Sequence, residues 1–399
     1  MRKNLQIITL LNNFSTGVIV PVLALAILAH GADIRNVSLV TGIYSLTVIV
    51  SEFPTGVFAD LYGRKRSFLI STVFRLVSYG LMLVSHTLPM ILLAMVFNGL
   101  GRAFSSGSLD ALAIDEAADD AALVKVTVRL NILESAGLAG GALAGGALAG
   151  IGTAYEGNIL LLALLTVVLF FLTLFSVREP ARDRSTHGKE ARLRGHLRAS
   201  FAFVGRRGTV RMLFLFAVLT GFAMLAVETY WQPALTSLSP AAWLLGAVSF
   251  AGFVAVMLGN KLTERRLTRT PKTGVALLLI QKAVMGVCLA LLMASGHTLA
   301  FIGSYVAVYL FLGGASAAEN TLLNREAPAR QRASILSLFS FVLQAGGLVA
   351  SLCGYIVSAY TDFRVMWLLA GGMLLLASAV FALLRAAGRR RAGAGAIAE

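Results

Sequence analysis

The sequence predicts an all-α membrane protein of twelve transmembrane helices, and three observations carry that expectation. The chain of 399 residues is 57% hydrophobic, with a mean hydropathy of +0.81, and only 13% of it is charged. A soluble domain carries roughly 25% charged residues. The apolar residues fall in runs long enough to cross a bilayer, which takes about 20 residues per helix. The basic residues gather in short stretches between those runs rather than over one surface.

Spans are expected at residues 5–30, 36–60, 67–87, 89–114, 126–151, 156–178, 209–236, 240–260, 273–296, 298–323, 331–359 and 363–386. The first follows Arg2-Lys3 and stays apolar to about Ala29, too long for a signal-peptide core, so it reads as an uncleaved span. Pro54 sits inside the second and is placed to kink it. The fifth carries Gly137, Gly141 and Gly145, four residues apart, so they stack on one face and let a second helix approach closely. Between spans six and seven lies the one long polar stretch, 179–208, rich in arginine. Its second half, Leu193 to Val204, mixes Leu and Phe with Arg; it suits an amphipathic helix on an anionic leaflet, or a solvated linker. The chain thus divides into an N-terminal six-helix bundle (1–178), a basic linker (179–208), a C-terminal bundle (209–388) and a tail (389–399). The segment Gly259 to Arg266 reads as the turn between spans eight and nine, a degenerate echo of the turn after span two.

A net charge of +15 raises the question of nucleic acid, which the distribution of that charge excludes. Arg35, Arg75, Arg102, Lys282 and Arg364 fall in spans or outer loops; the bulk of the 34 Lys and Arg collect at the N-terminus, in alternate loops and in the tail. Positive charge marks the cytoplasmic side, so both termini are expected there. Cys288 and Cys353 lie in apolar runs and read as small core residues rather than a disulfide. There is no phosphate-binding glycine loop of the ATP-driven pumps, and the five histidines lack metal-ligand spacing, so no metal site is expected.

The residues that carry chemistry begin at the end of span two. Gly56-Val57-Phe58-Ala59-Asp60 is followed by Gly63-Arg64-Lys65. Charges packed into so short a turn make sense as an ionic latch at the water boundary. Glu52, eight residues before Asp60, lies about 12 Å deeper at ~1.5 Å per residue. An intramembrane acid is costly and is a candidate for proton or substrate handling. Span four holds Arg102 and Asp110, a fixed positive charge and an acid two turns apart. Span seven carries Glu228, Tyr230, Trp231, Gln232 and Pro233; an acid beside two aromatics suits an amphipathic or cationic ligand. Span ten carries Glu319. Lys282, a lysine inside span nine, calls for an acidic partner that the sequence does not name.

The turn Gly56–Lys65 resembles the signature loop of the major facilitator superfamily, which joins its second and third helices. With Glu52 and Pro54 it is similar to an extended form found in bacterial drug exporters, including tetracycline efflux proteins. The run Gly137, Gly141, Ala142, Gly145, Gly146 is similar to the superfamily's antiporter signature, with Ala142 in place of proline. The resemblance covers the whole chain. It implies two pseudo-symmetric six-helix bundles around a central cavity, in a monomer of the bacterial inner membrane. By resemblance, Asp60 faces the start of span eleven near Arg330–Ser334, and Arg64 pairs with Asp110 or Asp115 as an inner gate. Arg102 resembles the span-four arginine of proton-coupled members. The activity implied is export of a small hydrophobic or amphipathic compound in exchange for protons, with no cofactor beyond the proton gradient. Proton-coupled uptake of a metabolite is the alternative, and a membrane-embedded enzyme or sensor a remote one.

Overall fold

The computed structural model describes residues 2–106, 108–115, 120–179, 208–270, 273–328 and 332–395. Among the described residues the chain forms fourteen helices and no strand: α1 (Lys3–Ile19), α2 (Leu23–Ala29), α3 (Ile34–Tyr62), α4 (Arg64–Val84), α5 (Leu88–Ser105), α6 (Ser108–Asp115), α7 (Asp120–Leu148), α8 (Glu156–Ser176), α9 (Gly208–Leu238), α10 (Trp243–Arg269), α11 (Gly274–Ala294), α12 (Thr298–Glu326), α13 (Arg332–Tyr360) and α14 (Val365–Gly395). These are the twelve spans with two of them broken. The first divides into α1 and α2, bent by 53° around Pro21. The fourth divides into α5 and α6 at Ser106. Ten helices are long and apolar enough to cross a membrane, and the bent pair makes an eleventh. The remaining span, α7, is diluted by glycine.

One boundary differs from expectation for a physical reason. Gly259 to Arg266 is not a turn: α10 runs through it to Arg269, since the segment holds no proline and Gly259 packs directly under the Leu310 carbonyl of α12. Pro54 does not divide α3. The Thr55 hydroxyl beside it donates to the Ser51 carbonyl at 2.9 Å and to the Ala103 carbonyl of α5 at 3.0 Å, which ties the helix down at its proline. Cys288 and Cys353 are unbridged.

By contacts the chain groups into two units. Of the described residues, the first takes those within Met1–His187, Glu228–Phe253 and Ser351–Phe363; the second takes those within Gly188–Val227, Val254–Ala350 and Arg364–Glu399. This grouping cuts across the division at the 179–208 linker, because α9, α10 and α13 each contribute to both units. In the first unit α7 lies along α1, with Gly137 against the Leu10 carbonyl and Gly141 against Gly17. The expected close approach therefore occurs, and its partner is the first span. The next glycine, Gly145, meets the Val18 carbonyl, and Gly146 meets Gly246 of α10.

The second unit repeats this device. Gly221 of α9 meets the Leu343 carbonyl of α13, and Gly286 of α11 meets Gly371 of α14. A sequence echo accompanies it. The turn before α5 reads Ser85-His86-Thr87-Leu88 and the turn before α12 reads Ser295-Gly296-His297-Thr298-Leu299. Each follows a helix of 21 residues. In both, the serine caps that helix with its hydroxyl donating back to a carbonyl, Met82 or Leu291.

Candidate functional site

Four clusters collect the polar groups that an apolar solvent would otherwise reject. The first is the turn after α3. Gly63 alone joins α3 to α4, at φ +102°. The backbone N–H groups of Arg64 and Lys65 open α4 and both donate to the Glu179 carboxylate, at 2.8 and 3.1 Å. An anion is favoured at a helix start by the exposed N–H groups and the helix dipole. The Lys65 ammonium donates to the Leu174 carbonyl at the end of α8, at 2.7 Å. A methyl group on Gly63 would lie 2.6 Å from a Glu179 oxygen. Gly56 and Asp60 are exposed. Residues 329–331, and the side chains of Asp110, Asp115 and residues 332–334, lie outside the described part.

The second cluster lies deeper in the same unit. The guanidinium of Arg75, from α4, is buried. It donates to the Asn12 side-chain oxygen of α1 and to the Ser105 hydroxyl of α5, each at 2.8 Å. One residue on, at the break in the fourth span, the Ser106 hydroxyl donates to Glu52 of α3 at 3.3 Å. Arg75, Glu52 and the span break thus form one polar neighbourhood. The exposed Arg102 is an electrostatic neighbour of Arg75.

In the second unit, the Lys282 ammonium of α11 is fully buried and lies 2.9 Å from a carboxylate oxygen of Glu319 on α12. It also donates to the Thr220 hydroxyl of α9 and sits over the Phe216 ring. Glu319 is 4% exposed. Three helices, α9, α11 and α12, therefore meet at one ion pair. Next to it, Gln281 donates to Thr263 at 2.6 Å, in space that Gly314 leaves open.

The fourth cluster joins α9 and α13 to the first two spans within the first unit. The Tyr230 hydroxyl is shared with Ser38 of α3 at 2.6 Å and Ser358 of α13 at 3.0 Å. Ser351 donates to the Ser38 carbonyl, and Gly354 leaves the room that these hydroxyls fill. Arg35 lies 4.1 Å over the Tyr355 ring. The Gln232 amide binds the break in the first span at both ends, donating to the Val20 carbonyl at 2.7 Å and accepting from the Ala24 N–H at 2.9 Å. Tyr230 and Trp231 are fully buried, and Glu228 is half-buried on the same helix.

Of the residues singled out from sequence, the structure brings Arg64, Lys65 and Gly63 together and supplies Lys282 with Glu319. It sets Glu52 beside the span-four break and gathers Gly137, Gly141, Gly145 and Gly146 into helix contacts. Sequence reasoning missed Glu179, Ser38, Ser358 and the role of Gln232. Glu179 carries one usable signal, being the first acid after span six; the others are ordinary polar residues on apolar helices.

The family model of the Major Facilitator Superfamily matches residues 5–287 of the chain. A curated relative, the uncharacterized MFS-type transporter YxaM of Bacillus subtilis (strain 168), is 22% identical over 255 residues. That match covers 62% of either protein, so the chain spans less than two thirds of the relative's length. Among solved structures, a variant of the nucleoside transporter NupG superposes with a TM-score of 0.81 at 15% identity, over 95% of this chain and 98% of that one. A POT family transporter in complex with 5-aminolevulinic acid gives 0.75 at 12% identity, over 95% of each chain. A D-xylose-proton symporter gives 0.73 at 13%, over 94% and 95%.

Proposed function

Because the chain belongs to the major facilitator superfamily, and is thereby a multi-pass membrane transporter rather than an enzyme, we propose that it is a proton-coupled secondary transporter of the bacterial inner membrane. Its proton site in this reading is Glu319. The observation that carries the reading is the buried Lys282–Glu319 pair, held between α9, α11 and α12. A lone buried charge costs several kcal/mol, and removing one partner of a buried pair costs roughly 3–5 kcal/mol. Protonating Glu319 is such a removal, made reversible. The proton goes onto a carboxylate oxygen and the ion pair is lost. The Lys282 ammonium is left with the Thr220 hydroxyl and the face of Phe216. The three helices then favour a different arrangement. A gradient of protons is in this way a bias on the helix packing of the second unit.

For direction and cargo we retain export of a small amphipathic compound, drug or antibiotic, in exchange for protons. Two features support it: the glycine face of α7, and the Asp60–Lys65 turn with its Glu179 cap. Uptake of a metabolite with protons is the second reading. It is favoured by Ala142, which is buried in an unbroken α7 at the position where the antiporter signature has proline.

Purified protein in liposomes tests both. Acid inside everted vesicles drives accumulation if the protein exports, and acid outside right-side-out vesicles drives it if the protein imports. Glu319→Gln is expected to abolish gradient-driven accumulation while leaving downhill exchange of labelled substrate. Accumulation at the wild-type level in Glu319→Gln removes Glu319 from the coupling step.

A further inference from the structure

The break in the first span is a missing rung of an α-helix, and one side chain fills it. In an unbroken helix the N–H of residue 24 donates to the carbonyl of residue 20. Here Ala24 and Val20 do not bond to each other. The Gln232 amide of α9 stands between them, its oxygen accepting from Ala24 and its nitrogen donating to Val20. Pro21, inside the break, has no N–H and weakens the ladder further. Insertion of a side chain into the ladder is a recognised cause of a sharp kink, and the bend here is 53°.

Gln232 is two residues from Tyr230, whose hydroxyl is shared with Ser38 and Ser358 in the same unit. Thr229, one residue nearer the start of α9, has its hydroxyl 3.5 Å from that of Thr41 on α3. The inserted amide and the hydroxyl latch therefore belong to one contact surface on α9. Both are built of neutral groups, so nothing in them depends on a buried charge.

We propose that the first span is a two-state element. With the amide of Gln232 inserted, α1 and α2 are bent and the contact of α9 with α3 and α13 is made. With the amide withdrawn, Ala24 N–H bonds Val20 C=O directly, the span straightens and that contact opens. The exchange leaves neither backbone group orphaned in either state, so the cost of an unsatisfied backbone group in a dry environment is avoided on the span itself. Gln232 is thus a positioning residue for alternating access. This inference rests on the transporter reading above, and its test needs neither substrate nor proton gradient.

The test uses the full-length protein in nanodiscs, with Cys288 and Cys353 replaced by alanine. Spin labels are placed at Ile7 on α1 and Ala29 on α2, both exposed. Closing the rung lengthens the distance between these sites by ~3 Å, from the helix rise and the observed bend. Gln232→Met keeps the length of the side chain and removes its donor and acceptor. It is expected to shift the labels to the longer distance. It is also expected to raise, by about tenfold or more, the rate at which an impermeant maleimide modifies a cysteine at Thr41 in an otherwise unlabelled sample.

A second arm keeps Gln232. Cysteines at Thr41 and Thr229 lock the contact when oxidised, and the lock is expected to leave only the short distance. Reduction is expected to restore the long one as a second population. An unchanged distance in Gln232→Met, or a long distance that persists under the oxidised lock, overturns the inference. Failure of wild-type liposomes to move protons or solute overturns the transporter reading and leaves these distances to be judged by themselves.

Discussion

Gly63 is held to glycine twice over. Its φ of +102° belongs to a region that side chains rarely adopt, and the space where a Cβ would stand is taken by the Glu179 carboxylate. Gly63→Ala is expected to cost about 1–3 kcal/mol through backbone strain, and more where Glu179 is forced off the α4 N-terminus. The measurement is a lowered midpoint of thermal unfolding in detergent. Glu179→Ala is expected to lose about 1–3 kcal/mol from stranded helix-start donors. Because the two substitutions damage one contact, the double variant should lose clearly less than their sum; additive losses would show that the cap and the turn act separately. The turn was legible in sequence, since a glycine flanked by charges between two apolar runs is a local pattern. Its capping acid was not, since Glu179 lies 115 residues from Arg64 and only the packing of α8 beside α4 brings it there.

At the scale of elements, spacing foretold which face of a helix is special and left its partner unnamed. The period of four in Gly137, Gly141 and Gly145 marks a packing face of α7, and that α1 covers it follows from Gly17 and the carbonyls of Leu10 and Val18. Gly141→Val is expected to force α1 and α7 apart and to reduce the folded, monodisperse fraction severalfold in fluorescence-detected size exclusion. Gly80→Val serves as the comparison, because nothing lies near its Cβ position and only the intrinsic helix preference changes there. Equal losses in the two would refute the packing role. Span number was legible from hydropathy. The breaks were not: Pro21 and Ser106 are weak signals beside long apolar runs, and what decides them is a side chain from elsewhere. Gln232 holds the first break, and Arg75 with Glu52 flanks the second. Gly259–Arg266 shows the opposite error, a glycine with charges that resembles a turn and is continuous helix.

For the whole molecule, the hydropathy and the basic loops sufficed for the class, while the sites depend on contacts between distant residues. Tyr230 and Trp231 illustrate this. An aromatic pair beside an acid suggests a ligand cage, yet in this structure both are buried, with the Tyr230 hydroxyl occupied by Ser38 and Ser358. Both termini are expected in the cytoplasm, where a reporter enzyme fused at either end should stay inaccessible to an impermeant substrate in intact cells. The Lys282–Glu319 pair carries one more consequence, for synthesis. A lone ionised residue at the centre of a span raises the cost of membrane insertion by about 2.5–3.5 kcal/mol. The two charges sit on consecutive helices joined by the short turn Ser295–His297, so α11 and α12 can leave the translocon as a hairpin with its charges already cancelled. Nascent chains arrested before α12 emerges should then hold α11 poorly in the bilayer, and Lys282→Leu should relieve that delay. The residue proposed to bind the proton in the finished protein is, on this account, also the residue that lets its neighbour be born.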